Sequence, residues 1–532
     1  MTIPVVPLTF AVGSARRPDL AKYVLAVVVL TVCAACGDAS APTAEAPSPT
    51  TPTTVEHPPA QFVAGPCPAT PQPVPELARA RCGELVVPQN RSTSGGRTVR
   101  LPVAIIPAEN QPPAADPIVF LTGGPGNDAI ADPPIPAGVG INRDRDLILM
   151  SQRGTHSATP SLTCPEVDQF YARRVGLDYG ADSTRDAYVQ AVTECRDRLA
   201  PEVDFAAFNS TESARDLVDL RNALNIAKWN VYSHSYGTDL ALIYMRHDPD
   251  GIRSVTLDGV TPPSVADLGW TWSSAREAFD NMTDACSAQP ACQQRYPDLA
   301  ATFVDQVNRL EAQPVTTVVN VPDVGDVDVV LDGGALLAWF VPLATHFPAQ
   351  FPADIDELAR GNAQPIAQRY AEVWANPARV GTFGWGLALS VWCSEWVPFE
   401  TVEDQLEKAQ QAFPELPESV RAQAPQLPFL RDACAVWNVP KAPDSIRDVT
   451  TGDIPTLALS GSYDGQTGAQ WGKYVAQHLS QAHEVTVPGV AHGVYTNDCG
   501  ADVIASFYRD PQRPDTACVG ETKPPPYEIS PS

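Results

Sequence analysis

The stretch NVYSHSYGTDLAL, residues 230–242, permits few backbones. A β-prone run, residues 229–233, leads into it, and residues 238–246 (TDLALIYMR) have helical character and stop near Pro249. Between them lies a turn with Ser235 at its apex and small residues two positions away on each side, Ser233 and Gly237. A strand that becomes a helix over so few residues brings flanking chain close, so small neighbours are needed. The pattern is G-x-S-x-G with serine in place of the first glycine. Such a turn presents one hydroxyl at the end of a strand, where a nucleophile could act. Ser233 competes for that role, but it lies on the incoming strand.

Other short apolar runs occur at 117–121, 146–150, 253–257, 454–460 and 483–487, and residues 213–224 show helical spacing. Strands alternating with amphipathic helices indicate an α/β fold with a largely parallel sheet. The alternation breaks over 264–445, a Trp-rich, helix-rich stretch with a hairpin expected at 315–331. This is read as a cap inserted between a first core part, 63–263, and a second, 446–532. A length of 532 residues suits two such units, and 44% hydrophobic content supplies a core.

The N-terminus reads as an export signal over 1–35: Arg16, Arg17 and Lys22, an apolar run at 23–33, then small residues before Cys36. Cleavage before Cys36 and lipidation of its sulfur would anchor the chain to the outer face of the cytoplasmic membrane; the alternative is full secretion. Residues 36–62 are Pro/Thr/Ser-rich and are expected to form a disordered tether. Net charge is −26, from 62 acidic against 36 basic residues, which argues against nucleic acid as a partner. Ten cysteines follow Cys36, an even number that reads as disulfides in an exported chain. Pairing each with the next gives Cys67–Cys82, Cys164–Cys195, Cys286–Cys292, Cys393–Cys434 and Cys499–Cys518. No metal or cofactor is expected.

A serine nucleophile needs a base, an acid to orient it and donors for the developing oxyanion. His492 lies in PGVAHG, a small-residue loop after the final apolar run; His478 and His483 fall in regular elements. For the acid, Asp464 follows strand and turn in LSGSYD, and Asp258 in LDG is the competitor. The turn TGGPG, residues 122–126, offers the N–H of Gly124, or of Gly123, to act beside that of Tyr236.

With these stretches in order from about Cys67 to Cys518, the chain resembles the prolyl iminopeptidase and tripeptidyl-aminopeptidase branch of the α/β-hydrolases, in particular exported actinobacterial lipoproteins with a TAP-like C-terminal segment. The matching motifs are FLTGGPGND, SQRGTHSATPSLTC, SARDLVDLRNAL, VYSHSYGTDLAL, SVTLDGVTPP, SVWCSEW, CAVWNVP, IPTLALSGSYDGQTG and VPGVAHGV. The resemblance implies serine peptidase activity at free peptide N-termini, with Ser235, Asp464 and His492 as the triad and Asp258 as a structural residue. Thr467 matches the family's supporting threonine, while Gly468 stands where proline is usual. Thr122, Ser151 and Ser233 replace the usual His, Asp and Gly. An aminopeptidase must hold an ammonium group, and Glu395 in WCSEW matches an acidic position of relatives; Glu277 and Glu372 are further candidates. The rival readings are a carboxylesterase or lipase with the same triad, and a non-catalytic envelope protein.

The lipid reading has a direct check. Cys36→Ser should move the protein from the membrane fraction to the soluble one, and continued membrane association would overturn it.

Overall fold

In the computed structural model, residues 59–93, 96–131, 140–376, 380–423, 425 and 427–529 are described. The expected signal, Cys36 and the tether up to residue 58 lie outside them. Strand β1 (Gln61–Ala64) begins inside the segment assigned to the tether.

Nine strands make one sheet. After β1 come β2 (Arg81–Pro88), β3 (Thr98–Ile106), β4 (Ile118–Leu121), β5 (Leu147–Met150), β6 (Trp229–His234) and β7 (Ile252–Asp258). A cap hairpin, β8 (Val315–Val321) and β9 (Gly325–Leu331), stands apart, and β10 (Thr456–Gly461) and β11 (Ala482–Val487) return to the main sheet. The order is β1-β2-β3-β5-β4-β6-β7-β10-β11. From β5 to β11 all neighbours are parallel, whereas β1, β2 and β3 join antiparallel at one edge. The chain therefore has the α/β-hydrolase fold with an inserted helical cap.

The six parallel strands are those expected from the apolar runs. β4 (IVFL) and β5 (LILM) are buried at every position, as strands covered by helices on both faces must be. The antiparallel edge went unread. β3 contains Pro102 and Arg100, with Arg97 just before it, and these mask the strand signal. The cap has its own core around Trp272, Phe279, Phe303, Phe340 and Phe351, separate from the apolar layers on the sheet. The five disulfides join Cys67–Cys82, Cys164–Cys195, Cys286–Cys292, Cys393–Cys434 and Cys499–Cys518, the pairs expected from order along the chain.

One buried ionic cluster links two of the sequence motifs. Arg153 of SQRG is fully buried. Its guanidinium donates to both carboxylate oxygens of Asp216 at 2.7 Å, and to the carbonyls of Gln89 (2.8 Å) and Ala207 (2.6 Å). Asp216 belongs to helix Ser210–Ala223 and also accepts from Arg91 at 2.7 Å. The turn after β5, the β2–β3 hairpin and that helix are thus pinned together. Removing one partner of a buried pair leaves the other charge uncompensated. Arg153→Met should destabilise the fold by about 3–5 kcal/mol, read from urea denaturation; a loss under about 1 kcal/mol would show that the cluster is not structural.

Candidate active site

Ser235 stands between β6 and the helix Tyr236–His247, with φ 58° and ψ −131°. A left-handed φ is uncommon for a non-glycine residue and signals stored strain. The surroundings enforce it. The Ser235 N–H donates to the carbonyl of Asp258 (2.9 Å), and its own carbonyl accepts from the Thr238 N–H (2.8 Å) and hydroxyl (2.7 Å). Gly237 is obligatory, because a Cβ there would lie 2.1 Å from the Leu121 carbonyl oxygen. Ser233 donates its hydroxyl to the Thr256 carbonyl at 2.7 Å and is wholly buried, so it is a sheet residue and not a rival to Ser235.

Asp464 and His492 meet beyond the ends of β10 and β11. The Asp464 carboxylate lies 2.9 Å from His492 Nδ1 and accepts the Thr467 hydroxyl at 2.5 Å; its other oxygen accepts the N–H groups of Gln466 (2.9 Å) and Thr467 (2.8 Å). Thr467 Oγ1 is also 3.0 Å from His492 Nδ1, so threonine and carboxylate hold the same edge of the ring. Burial pushes the Asp464 pKa up, but the His492 charge and these hydrogen bonds outweigh it and hold the carboxyl below its ordinary range. Burial pulls His492 down, and Asp464 more than reverses this, so the imidazole titrates above its ordinary value.

Asp258 has a different task. Its carboxylate accepts the N–H groups of Val494 (2.8 Å) and Tyr495 (3.1 Å) and the Tyr232 hydroxyl (2.9 Å). Burial pushes its pKa up to about 6 against those hydrogen bonds. It anchors the chain just after His492, while its carbonyl holds Ser235. Gly259, at φ +69°, then passes so near the imidazole that a Cβ would come 3.1 Å from His492 Cε1. Nucleophile candidate and base candidate are therefore tied to one dipeptide, Asp258-Gly259.

The glycine turn after β4 packs on the serine. A Cβ on Gly123 would fall 2.7 Å from Ser235 Cβ, and Gly124, at φ +111°, lines the cavity above. Tyr236 is the first residue of its helix, so its N–H has no partner within the helix. Asp128, the last residue of FLTGGPGND, fixes this loop. It accepts the N–H groups of Ile130 (2.9 Å), Ala131 (3.1 Å) and Ser157 (2.7 Å), and the hydroxyls of Ser151 (2.6 Å) and Thr155 (3.1 Å). Ser151 is thus a donor to the same loop.

The cavity around Ser235 has a volume of ≈460 Å³. Its wall is strongly aromatic, with Tyr171 from the core and Trp374, Phe383, Trp385, Trp392 and Trp396 from the cap. The expectation for Glu395 needs correction. It does not line this cavity: its carboxylate accepts the Ser210 N–H (2.7 Å) and hydroxyl (2.5 Å), and Ser210 in turn meets the Tyr236 hydroxyl at 2.8 Å. The glutamate sits at the N-terminus of a helix, where N–H groups lack intrahelical partners, and burial lifts its pKa to about 7. Glu372 is exposed and accepts from Gln368, and Glu277 accepts the Gln470 N–H (3.2 Å) in a neighbouring cleft. Asp168 is the acidic residue of the described cavity lining, with oxygens on Trp385 Nε1 and the Gly381 N–H, both at 2.7 Å.

Sequence reasoning missed three contributors. Asp128 ends the motif FLTGGPGND and His234 lies within VYSHSYGTDLAL, each beside residues with a plainer chemical role. His234 precedes Ser235, and its ring centroid is 4.6 Å from that of His492. Burial, then the neighbouring His492, holds His234 well below the ordinary imidazole value. Asp168 carried no signal, being one acidic residue in a surface-patterned helix, Pro165–Arg174. Among the described residues one group has metal-like spacing, Cys164, Glu166 and Cys195, but it contains a disulfide and a carboxylate paired with Arg198.

Comparison with known proteins agrees with this architecture. Residues 424–519 match a family model described as TAP-like protein. The chain is 24% identical to serine protease Hip1 of Mycobacterium tuberculosis H37Rv over 84% of its length and 86% of that protein. Carboxylesterase B of the same organism is 28% identical over 44% of this chain and 46% of its own. Putative hydrolase YuaR of Escherichia coli K12 is 26% identical over 41% and 44%. The chain spans less than half the length of the latter two relatives. Fold and similarities together make this protein a member of the α/β-hydrolase superfamily, distantly related to its TAP-like, esterase and protease branches.

The Asp464–His492 pair also gives a stability window. The raised His492 contributes fully below its unfolded pKa of about 6.5, and the contribution fades as pH rises through the folded value. The lowered Asp464 contributes above about 3.9, and this is lost as pH falls through its folded value. Between those limits both act. In histidine-detected NMR, His492 should titrate above about 6.5, and Asp464→Asn should bring it down; an unmoved titration would dissociate the pair.

Proposed function

We propose that the protein is a serine hydrolase that cleaves peptides at their free N-termini. Ser235 attacks the carbonyl while His492 Nε2 takes its proton, and Asp464, supported by Thr467, holds the imidazole in the required tautomer. The N–H groups of Tyr236 and Gly124 receive the oxyanion. His492 then returns the proton to the leaving amine, and water, activated by the same imidazole, releases the acyl group. The observation that carries this reading is the Asp464–His492 pair, tied through Asp258-Gly259 to a serine held at positive φ. Aligned length adds support, since the Hip1 similarity spans most of both chains.

Peptide substrates distinguish this from the esterase reading, which the aromatic cavity wall and the similarity to carboxylesterase B favour. Both readings use the same serine. Lipidation at Cys36 and a place on the outer face of the membrane belong to the proposal, as do the boundaries of core and cap.

Ser235→Ala should lower turnover of any substrate by about 10⁶-fold while thermal unfolding stays near wild type. Full retained activity would remove Ser235 from the mechanism. A short peptide amide should be cleaved at least about tenfold faster than its N-acetylated form. Equal rates would favour a general peptidase or esterase.

A further inference from the structure

Next to the catalytic cavity lies a second, more open cleft of ≈800 Å³, between the first cap helix, Trp270–Ala288, and the core. Among the described lining residues, Trp270 is common to both spaces. Its ring stands edge-on to Trp396 on the cavity side, centroids 6.2 Å apart at 88°, and edge-on to Trp471 on the cleft side, at 6.0 Å and 72°. The side chain is 5% exposed. Trp270 thus packs against one indole from each space.

The backbone of Trp270 is firmly held and its side chain is not. The Trp270 N–H donates to Asp267 (3.0 Å), and the preceding Gly269 N–H donates to Glu400 (3.0 Å). The indole Nε1, by contrast, is buried with no hydrogen-bond partner. Packing alone fixes the ring. Beyond it the cleft turns polar. Asp267 and Asp280 are paired with Lys408 and Arg276, and Glu277 presents its carboxylate to the Gln470 N–H.

We propose that Trp270 is the end stop of the substrate cavity and limits the length of the acyl segment bound there. This deepens the reading of Ser235 as nucleophile and rests on it. A segment that fits ends against the indole. A longer one is excluded, although the space behind is large and carries a carboxylate suited to an ammonium group. Removing the ring joins the two spaces, so longer segments become substrates. Trp270 acts on chain length and takes no part in bond making.

The test uses the full chain and a ladder of free-amine oligoalanyl p-nitroanilides with one to six residues. The readout is the ratio of kcat/KM for the longest member to that for the wild type's best, so a general loss of rate cancels. In the wild type the ladder should show a sharp length limit. Trp270→Ala should raise the ratio by about tenfold or more, and Trp270→Phe should leave it near wild type. Trp270→Leu is read in the same way if the alanine variant does not fold. A wild type with no length limit, or a ratio unmoved in the alanine and leucine variants, would overturn the proposal. If the wild type cleaves p-nitrophenyl acetate but no anilide, the peptide reading falls and the end stop is judged by the same ratio on esters of increasing acyl length. If acetate too is untouched, the nucleophile reading falls and takes the end stop with it.

Discussion

Asp258 holds two pieces of chain, one with its backbone and one with its side chain. Its carbonyl takes the amide of Ser235, and its carboxylate takes the amides that follow His492. A buried carboxyl with three donors resists displacement, because breaking any one of those bonds leaves a polar group unsatisfied in a dry environment. The strained serine, the close-passing Gly259 and the histidine loop are positioned from that one residue. Asp464 has the contact with the ring, yet it acts on an imidazole whose place is already decided.

The electrostatic layout follows from burial and pairing. Asp464 has four hydrogen-bonding contacts, His492 among them, and it stays ionised. Asp258, Glu395 and Asp239 are buried with weaker compensation, and burial raises all three. Of these four buried carboxyls, Asp464 is the one held below its ordinary range. His234, held neutral beside the same ring, adds bulk without adding charge.

Much of this was legible in the sequence, and the reasons differ by element. The six parallel strands are short apolar runs bounded by turns, which is what burial on both faces demands. The elbow was legible because its sterics admit few residues, and Gly237 shows how few. The choice between Asp464 and Asp258 was partly legible from position: Asp258 ends one parallel strand and Asp464 follows another, and the place of Asp464 after the late strand made it the preferred acid. The family resemblance favoured Asp464, and coordinates separate the two by what each carboxylate touches. Glu395 was misplaced for an instructive reason. The resemblance matched an acidic position in a partly buried setting, which does not fix the direction of the side chain, and the glutamate turns towards Ser210. The cavity wall draws on residues from 124 to 467, a convergence that no local pattern reports.

The disulfides join cysteines 15, 31, 6, 41 and 19 residues apart, and no bridge encloses or crosses another. Such nesting-free connectivity needs no foresight. Cys33 and Cys36 aside, a chain oxidised progressively from its first residue finds, at the second cysteine of each bridge, that the one unpaired thiol already present is the correct partner. Correct pairing thus follows from order of arrival, and the covalent framework asks little of any enzyme that reshuffles bonds.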